Sequence, residues 1–139
     1  PAIIFIIACG LAFATGTSWG TFGILIPICI AIFPVGTPLR IISISACMAG
    51  AVCGDHISPI SDTTIMASAG AQCDHVQHVS TQLPYALTVA VVSFITYIVA
   101  GFTQSFGIVA SCLISWIVGL IILFATLIFI KSKVAKQQK

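Results

Sequence analysis

The chain has 139 residues, of which 59% are hydrophobic and only 6% charged, and its mean hydropathy is +1.19. These values exclude a soluble domain with a solvated, charged surface. The net charge of +2 gathers at one end, because Lys131, Lys133, Lys136 and Lys139 are four of the five basic residues, and a lysine tail that follows an apolar run without interleaved aromatics reads as a cytoplasmic topology anchor rather than a nucleic-acid arm.

Pro1 opens the chain inside an apolar run, with no basic segment or cleavage site of a signal peptide. The chain therefore reads as the C-terminal part of a longer membrane protein. Residues 1–33 hold two apolar arms, Pro1 to Phe13 and Phe22 to Phe33, separated by the polar run from Thr15 to Thr21. As one helix this stretch measures about 50 Å, too long for a single crossing, while each arm of about 12 residues reaches only partway. A re-entrant hairpin fits, with a broken helix as the alternative. Its tip of hydroxyls and glycines suits irregular backbone buried in protein.

Residues 39–70 repeat the pattern, with arms Leu39 to Val52 and Asp62 to Gly70 around a break at Cys53 to Ser61. The two arms together hold about 23 residues, roughly 35 Å of helix, which suits one interrupted span. The break lies in GDHISPISDTT, Gly54 to Thr64, which carries Asp55 and Asp62. Carboxylates at membrane depth are costly and mark ion or proton paths. Asp62 also has a plain reading as a helix cap within SDTT. His56 either relays a proton or orients the Asp55 carboxylate, and the orienting role is favoured. Arg40, the only arginine, snorkels to the interface.

Residues 71–82, with Asp74, His75, Gln77 and His78, read as a polar cytoplasmic loop or a short surface helix. Residues 83–101 and 107–130 then supply about 19 and 24 apolar residues, enough for two full spans, joined by a polar turn around Thr103, Gln104 and Ser105. The tail, residues 131–139, follows. The expected fold is an all-α polytopic membrane protein: a re-entrant helical hairpin plus a broken transmembrane helix, followed by two full transmembrane helices.

Six cysteines, Cys9, Cys29, Cys47, Cys53, Cys73 and Cys112, form no CxxC pair and read as small buried thiols. A soft-metal set of Cys53 with His56, or of Cys73 with His75 and His78, is the alternative. Both helix breaks offer free carbonyls, hydroxyls and close backbone approach, the elements of an oxygen cage for a small hard cation. The helix arm that ends near Val52 turns its negative dipole end toward the break, which favours a cation there. A carboxylate that accepts a proton or a sodium ion, but not both, exchanges them by competition once it is exposed alternately to the two sides.

The runs FATGTSWGTFGILIPI, Phe13 to Ile28, and GDHISPISDTTIMASAGAQCDHVQHVSTQLPYAL, Gly54 to Leu87, strongly resemble the C-terminal portion of the NhaC family of sodium:proton antiporters. That resemblance implies a bacterial inner-membrane secondary antiporter with two inverted repeats, each pairing a re-entrant hairpin with a broken helix. It implies an ion site of Thr15, Thr17 and Ser18 at the hairpin tip and Asp55, Ser58, Ser61, Asp62 and Thr63 at the break, with the sodium held by Asp55 and Asp62 as cargo. No cofactor is expected beyond the transported Na+ and H+.

The runner-up is a sodium- or proton-coupled exchanger of malate, lactate or amino acids. Two readings from other classes are weaker. An intramembrane aspartyl protease also uses two buried aspartates, but Val52 stands where such proteases resemble GxGD, and both aspartates share one segment. A membrane subunit that uses its polar breaks only for helix packing has no need of two carboxylates. The expected partners are the lipid bilayer, the N-terminal half of the same protein, a small cation and, as an option, a second copy in a homodimer, with no nucleic acid among them.

Overall fold

The structure, a computed structural model, describes residues 1–137 as helices and short turns, with no strand among them. Gln138 and Lys139, the end of the expected basic tail, lie outside the described residues. In chain order the elements are α1 (Ala2–Thr15), α2 (Ser18–Ile32), α3 (Pro38–Ile57), α4 (Asp62–Gly70), α5 (His75–Thr103), a 3-10 turn (Gln104–Phe106) and α6 (Ile108–Gln137). Three of these, α3, α5 and α6, are long and apolar enough to cross a membrane. The architecture is that of an all-α polytopic membrane protein.

Local chemistry sets each boundary. α1 ends at Gly16, whose φ of 67° lies in the left-handed region and whose N–H donates to Ala12 O, a helix stop that glycine adopts without a Cβ penalty. Thr17 then turns extended, and its side chain accepts from Gly20 N to cap α2. Pro34 follows α2, and Pro38 opens α3 at its first turn, where a missing N–H costs nothing. α3 ends because Ser58 precedes Pro59: a residue before proline is pushed out of the helical region, and Ser58 has ψ 126°. Ser58-Pro59-Ile60-Ser61 closes as a β-turn with Ser61 N donating to Ser58 O at 3.3 Å.

This boundary corrects the sequence expectation for residues 39–70. Helix α3 continues through Cys53 to Ile57, so Asp55 and His56 stand in its last turn, and the break shrinks to Ser58–Ser61. By itself α3 is about 30 Å long, a full crossing, and α4 is a short addition. The expected loop 71–82 is corrected as well. The Asp74 side chain accepts from Gln77 N at 2.8 Å, so α5 starts at His75 and only residues 71–74 are non-helical. At the far end, α6 runs beyond residue 130 into the lysine tail as far as Gln137.

α1 and α3 form the tightest contact. An added Cβ at Gly50 would collide with Phe5 O, and one at Gly54 with Cys9 O, while Ser58 Oγ donates to Phe13 O at 2.8 Å. The offset of 45 residues between Phe13 and Ser58 also relates Phe5 to Gly50 and Cys9 to Gly54. Residue numbers rise together, so the helices run parallel. Gly50 and Gly54 form a GxxxG spacing that lets two backbones approach without a hydrophobic driving force between them. A small-residue core of Ala8, Ala12, Cys29, Cys47 and Ala51 ties in α2, which doubles back along α1 until Cys29 comes within electrostatic reach of the Pro1 amine.

α5 runs antiparallel to α3, since Ser45 pairs with Tyr97 at 3.1 Å and Gln82 donates to His56 O at 3.0 Å. α6 returns along α5: Gly119 abuts Thr96, and Ser111 Oγ donates to Ala100 O. The antiparallel hairpin expected around the Thr103 turn is present, with longer arms.

Across these helices the free thiols of Cys9 and Cys53 are neighbours, as are those of Cys29 and Cys47. Mild oxidation of the full-length protein by copper phenanthroline is expected to link Cys9 to Cys53 in preference to Cys73 or Cys112, read as a cross-linked peptide by mass spectrometry. Preferential linkage of Cys53 to any other cysteine contradicts the parallel α1–α3 contact.

Candidate functional site

Because α1 and α3 run parallel and in register, both stop at the same level. Gly16, at the first break, sits against Ile60 in the second, with an added Cβ only 2.9 Å from Ile60 O. Two helix C-termini and the starts of α2 and α4 therefore meet at one place. The negative dipole ends of α1 and α3 converge there, an arrangement that stabilises a cation.

Asp55 lies inside this junction. It is 8% exposed, and Ser58 and Ser61 beside it are fully buried. Ser61 Oγ donates to Asp55 Oδ1 at 2.7 Å and stands 2.8 Å from Thr63 Oγ1. Ser58 serves structure, since its hydroxyl donates to Phe13 O and receives Ile60 N at 3.4 Å. A carboxylate this enclosed costs free energy as an anion unless hydrogen bonds or a cation compensate it. The Ser61 hydroxyl is a compensating hydrogen bond, whereas the negative ends of α1 and α3 add to the cost of the anion and favour a cation beside it.

The other expected site residues are distributed less tightly. Asp62 is exposed at the start of α4, and its Oδ1 accepts from Thr63 N at 2.7 Å, which satisfies one free amide of that helix. Thr15 donates back to Leu11 O at 2.8 Å, and Thr17 caps α2. Ser18 is half-buried at the first residue of α2. Thr63 is linked to Asp55 only through Ser61. Among the described residues His56 makes no hydrogen bond to Asp55; one residue along a helix turns the side chain to another face, and His56 lines the space between α3 and α5. The group that holds the Asp55 carboxylate is Ser61. Trp19, next to Ser18 at the start of α2, is 82% exposed and meets Phe22 edge-on.

Sequence reasoning gave His75 a place in a polar loop or short surface helix, or in a soft-metal set with Cys73 and His78, and missed its contacts with the Pro59 turn and α4. Its Nε2 stands 2.7 Å from Pro59 O and its Nδ1 2.9 Å from Ser68 Oγ. A carbonyl only accepts, so Nε2 carries a proton and donates. The first residue of α5 thus pins the turn beside Asp55 and the middle of α4. A cavity of about 1040 Å³ between α3 and α5, with Phe5, Met48, Val52, Tyr85 and Val89 in its wall, has no carboxylate in its lining.

The sequence of residues 1–102 matches the model of the Na+/H+ antiporter family. The chain belongs to this family. Among relatives of the family member described here, an uncharacterized protein of Haemophilus influenzae is 58% identical over 76% of this chain and 20% of its own length. The malate-2H(+)/Na(+)-lactate antiporter of Bacillus subtilis is 39% identical over 66% of this chain and 20% of its own. The arginine/ornithine antiporter ArcD of Halobacterium salinarum is 35% identical over 77% of this chain and 23% of its own. The chain thus spans about a fifth of the length of the curated relatives it matches. No solved structure matches it.

Proposed function

We propose that the full-length protein is a secondary antiporter, not an enzyme, which exchanges sodium for protons by competition at Asp55. One observation carries this reading above the rest: two helix breaks from separate parts of the chain meet on a buried carboxylate that already has a hydroxyl partner. A proton neutralises Asp55, or a sodium ion pairs with it among the neighbouring oxygens. The site cannot hold both at once, so alternate exposure couples the two gradients. Asp62 and Thr17, at the rims of the two breaks, complete the cage together with groups from the rest of the protein.

Membership in the antiporter family supports the exchange class, and the names of the relatives favour a second reading in which an organic acid or amino acid is the cargo. The lysines that follow the last span support a cytoplasmic C-terminus in a bacterial inner membrane. The test uses full-length protein in proteoliposomes with an inside-acid pH gradient, while sodium, lithium, potassium, malate or arginine is added outside. Collapse of the gradient on sodium alone is the expected result. Collapse only with malate or arginine transfers the protein to the second reading.

A further inference from the structure

We propose that Thr63 and Ser61 form a hydroxyl relay that carries protons between a cavity at the α3–α4–α5 junction and the carboxylate of Asp55. The inference rests on the reading of Asp55 as the exchange carboxylate and adds the route by which its proton arrives. Three facts support it. Asp55, Ser61 and Thr63 make a continuous chain with oxygen separations of 2.7 and 2.8 Å. Asp55 and Ser61 are buried, whereas Thr63 is exposed. Thr63 opens onto a cavity of about 190 Å³ lined also by His56, Thr64, His78 and Gln82, large enough for several waters.

The chain has a fixed sense. A serine hydroxyl has one proton, and that of Ser61 is given to Asp55 Oδ1. The contact between Ser61 and Thr63 is then a bond donated by Thr63. Thr63, exposed and in the cavity wall, is placed to accept a proton from the cavity on its other lone pair. Every donor thus points toward the carboxylate.

One delivery balances as follows. A hydronium in the cavity gives a proton to Thr63 Oγ1, the original Thr63 proton passes to Ser61 Oγ, and the original Ser61 proton passes to Asp55 Oδ1. A water is left in the cavity and Asp55 becomes neutral, with every electron pair remaining on its own oxygen. Rotation of the two hydroxyls restores the starting sense. The titratable groups around the entrance are His56 on α3, His78 on α5 and Asp62 on α4, whose Oδ1 accepts from Thr63 N. Either imidazole is placed to exchange protons with cavity water.

The test compares two reactions of full-length protein in proteoliposomes: sodium-for-proton exchange, and exchange of labelled for unlabelled sodium, which moves no proton. Thr63→Val keeps shape and removes the hydroxyl. It is expected to slow sodium-for-proton exchange at least about tenfold more than sodium-for-sodium exchange, and Thr63→Ser is expected to restore the ratio. Equal slowing of both reactions by Thr63→Val, or failure of Thr63→Ser to restore the ratio, overturns the relay. Asp55→Asn separates this from the underlying reading: intact exchange in that variant removes Asp55 itself, whereas loss of both reactions beside a normal Thr63→Val ratio removes only the relay.

Discussion

Asp55→Asn is expected to reduce sodium-for-proton exchange by the full-length protein at least about a hundredfold, close to the leak of empty vesicles. Asparagine matches aspartate in volume, and its amide oxygen still accepts from Ser61 Oγ, which now reaches Asp55 Oδ1 at 2.7 Å. The fold and the Ser58–Ser61 turn should therefore survive, as checked by expression and a normal melting profile. What disappears is the negative charge that pairs with sodium and the base that takes a proton. Both half-reactions lose their common group, so no concentration of sodium rescues the rate. Asp62→Asn is expected to cost less, because Asp62 is exposed and its visible role is to accept from Thr63 N, which the asparagine amide oxygen also does. Full activity in Asp55→Asn together with loss in Asp62→Asn reverses the assignment.

Half of that contrast was legible in the sequence, which set Asp62 at the start of the arm Asp62 to Gly70 with a helix-cap reading but left Asp55 inside the break. Polarity marks where a helix becomes amphipathic, but backbone chemistry marks where it stops. Nothing in Cys53 to Ile57 prevents a helix, and the real stop is Pro59 acting on Ser58, so Asp55 belongs to α3 and Asp62 to the start of α4. For residues 71–82 the sequence left a loop and a short surface helix open, and Asp74, whose side chain accepts from an amide three residues on, decides for the helix. The membrane class, the two breaks at Gly16 and Pro59 and the α5–α6 hairpin were legible, because apolar length and glycine or proline signals act locally. The meeting of the breaks was not. It depends on which helix lies against Gly50 and Gly54, and spacing alone names a close approach without naming the partner. His75 had no local signal at all, since its partners Pro59 and Ser68 come together only when α4 leans on α5.

The glycine pair leads to the second large expected effect. Gly54→Ala places a methyl group against Cys9 O and only 2.9 Å from Phe13 N. These are backbone atoms of a helix and cannot rotate aside like a side chain, so α1 must retreat from α3 as a unit. Overpacking of this kind costs about 1–3 kcal/mol, and retreat also lengthens the Ser58 Oγ to Phe13 O bond, now 2.8 Å. The two breaks then no longer meet at one level, and Asp55 loses the converging end of α1. Exchange is expected to fall by more than about tenfold, with a lower melting temperature in detergent and a reduced yield of the Cys9–Cys53 cross-link. Gly23→Ala is the matched control, because nothing lies within 4 Å of the added Cβ there and alanine favours a helix interior by about 1 kcal/mol. If Gly54→Ala behaves like Gly23→Ala in transport and cross-linking, the close parallel contact does not set the site. If cross-linking falls while transport stays normal, α1 has moved away from α3 and its end takes no part in holding the ion.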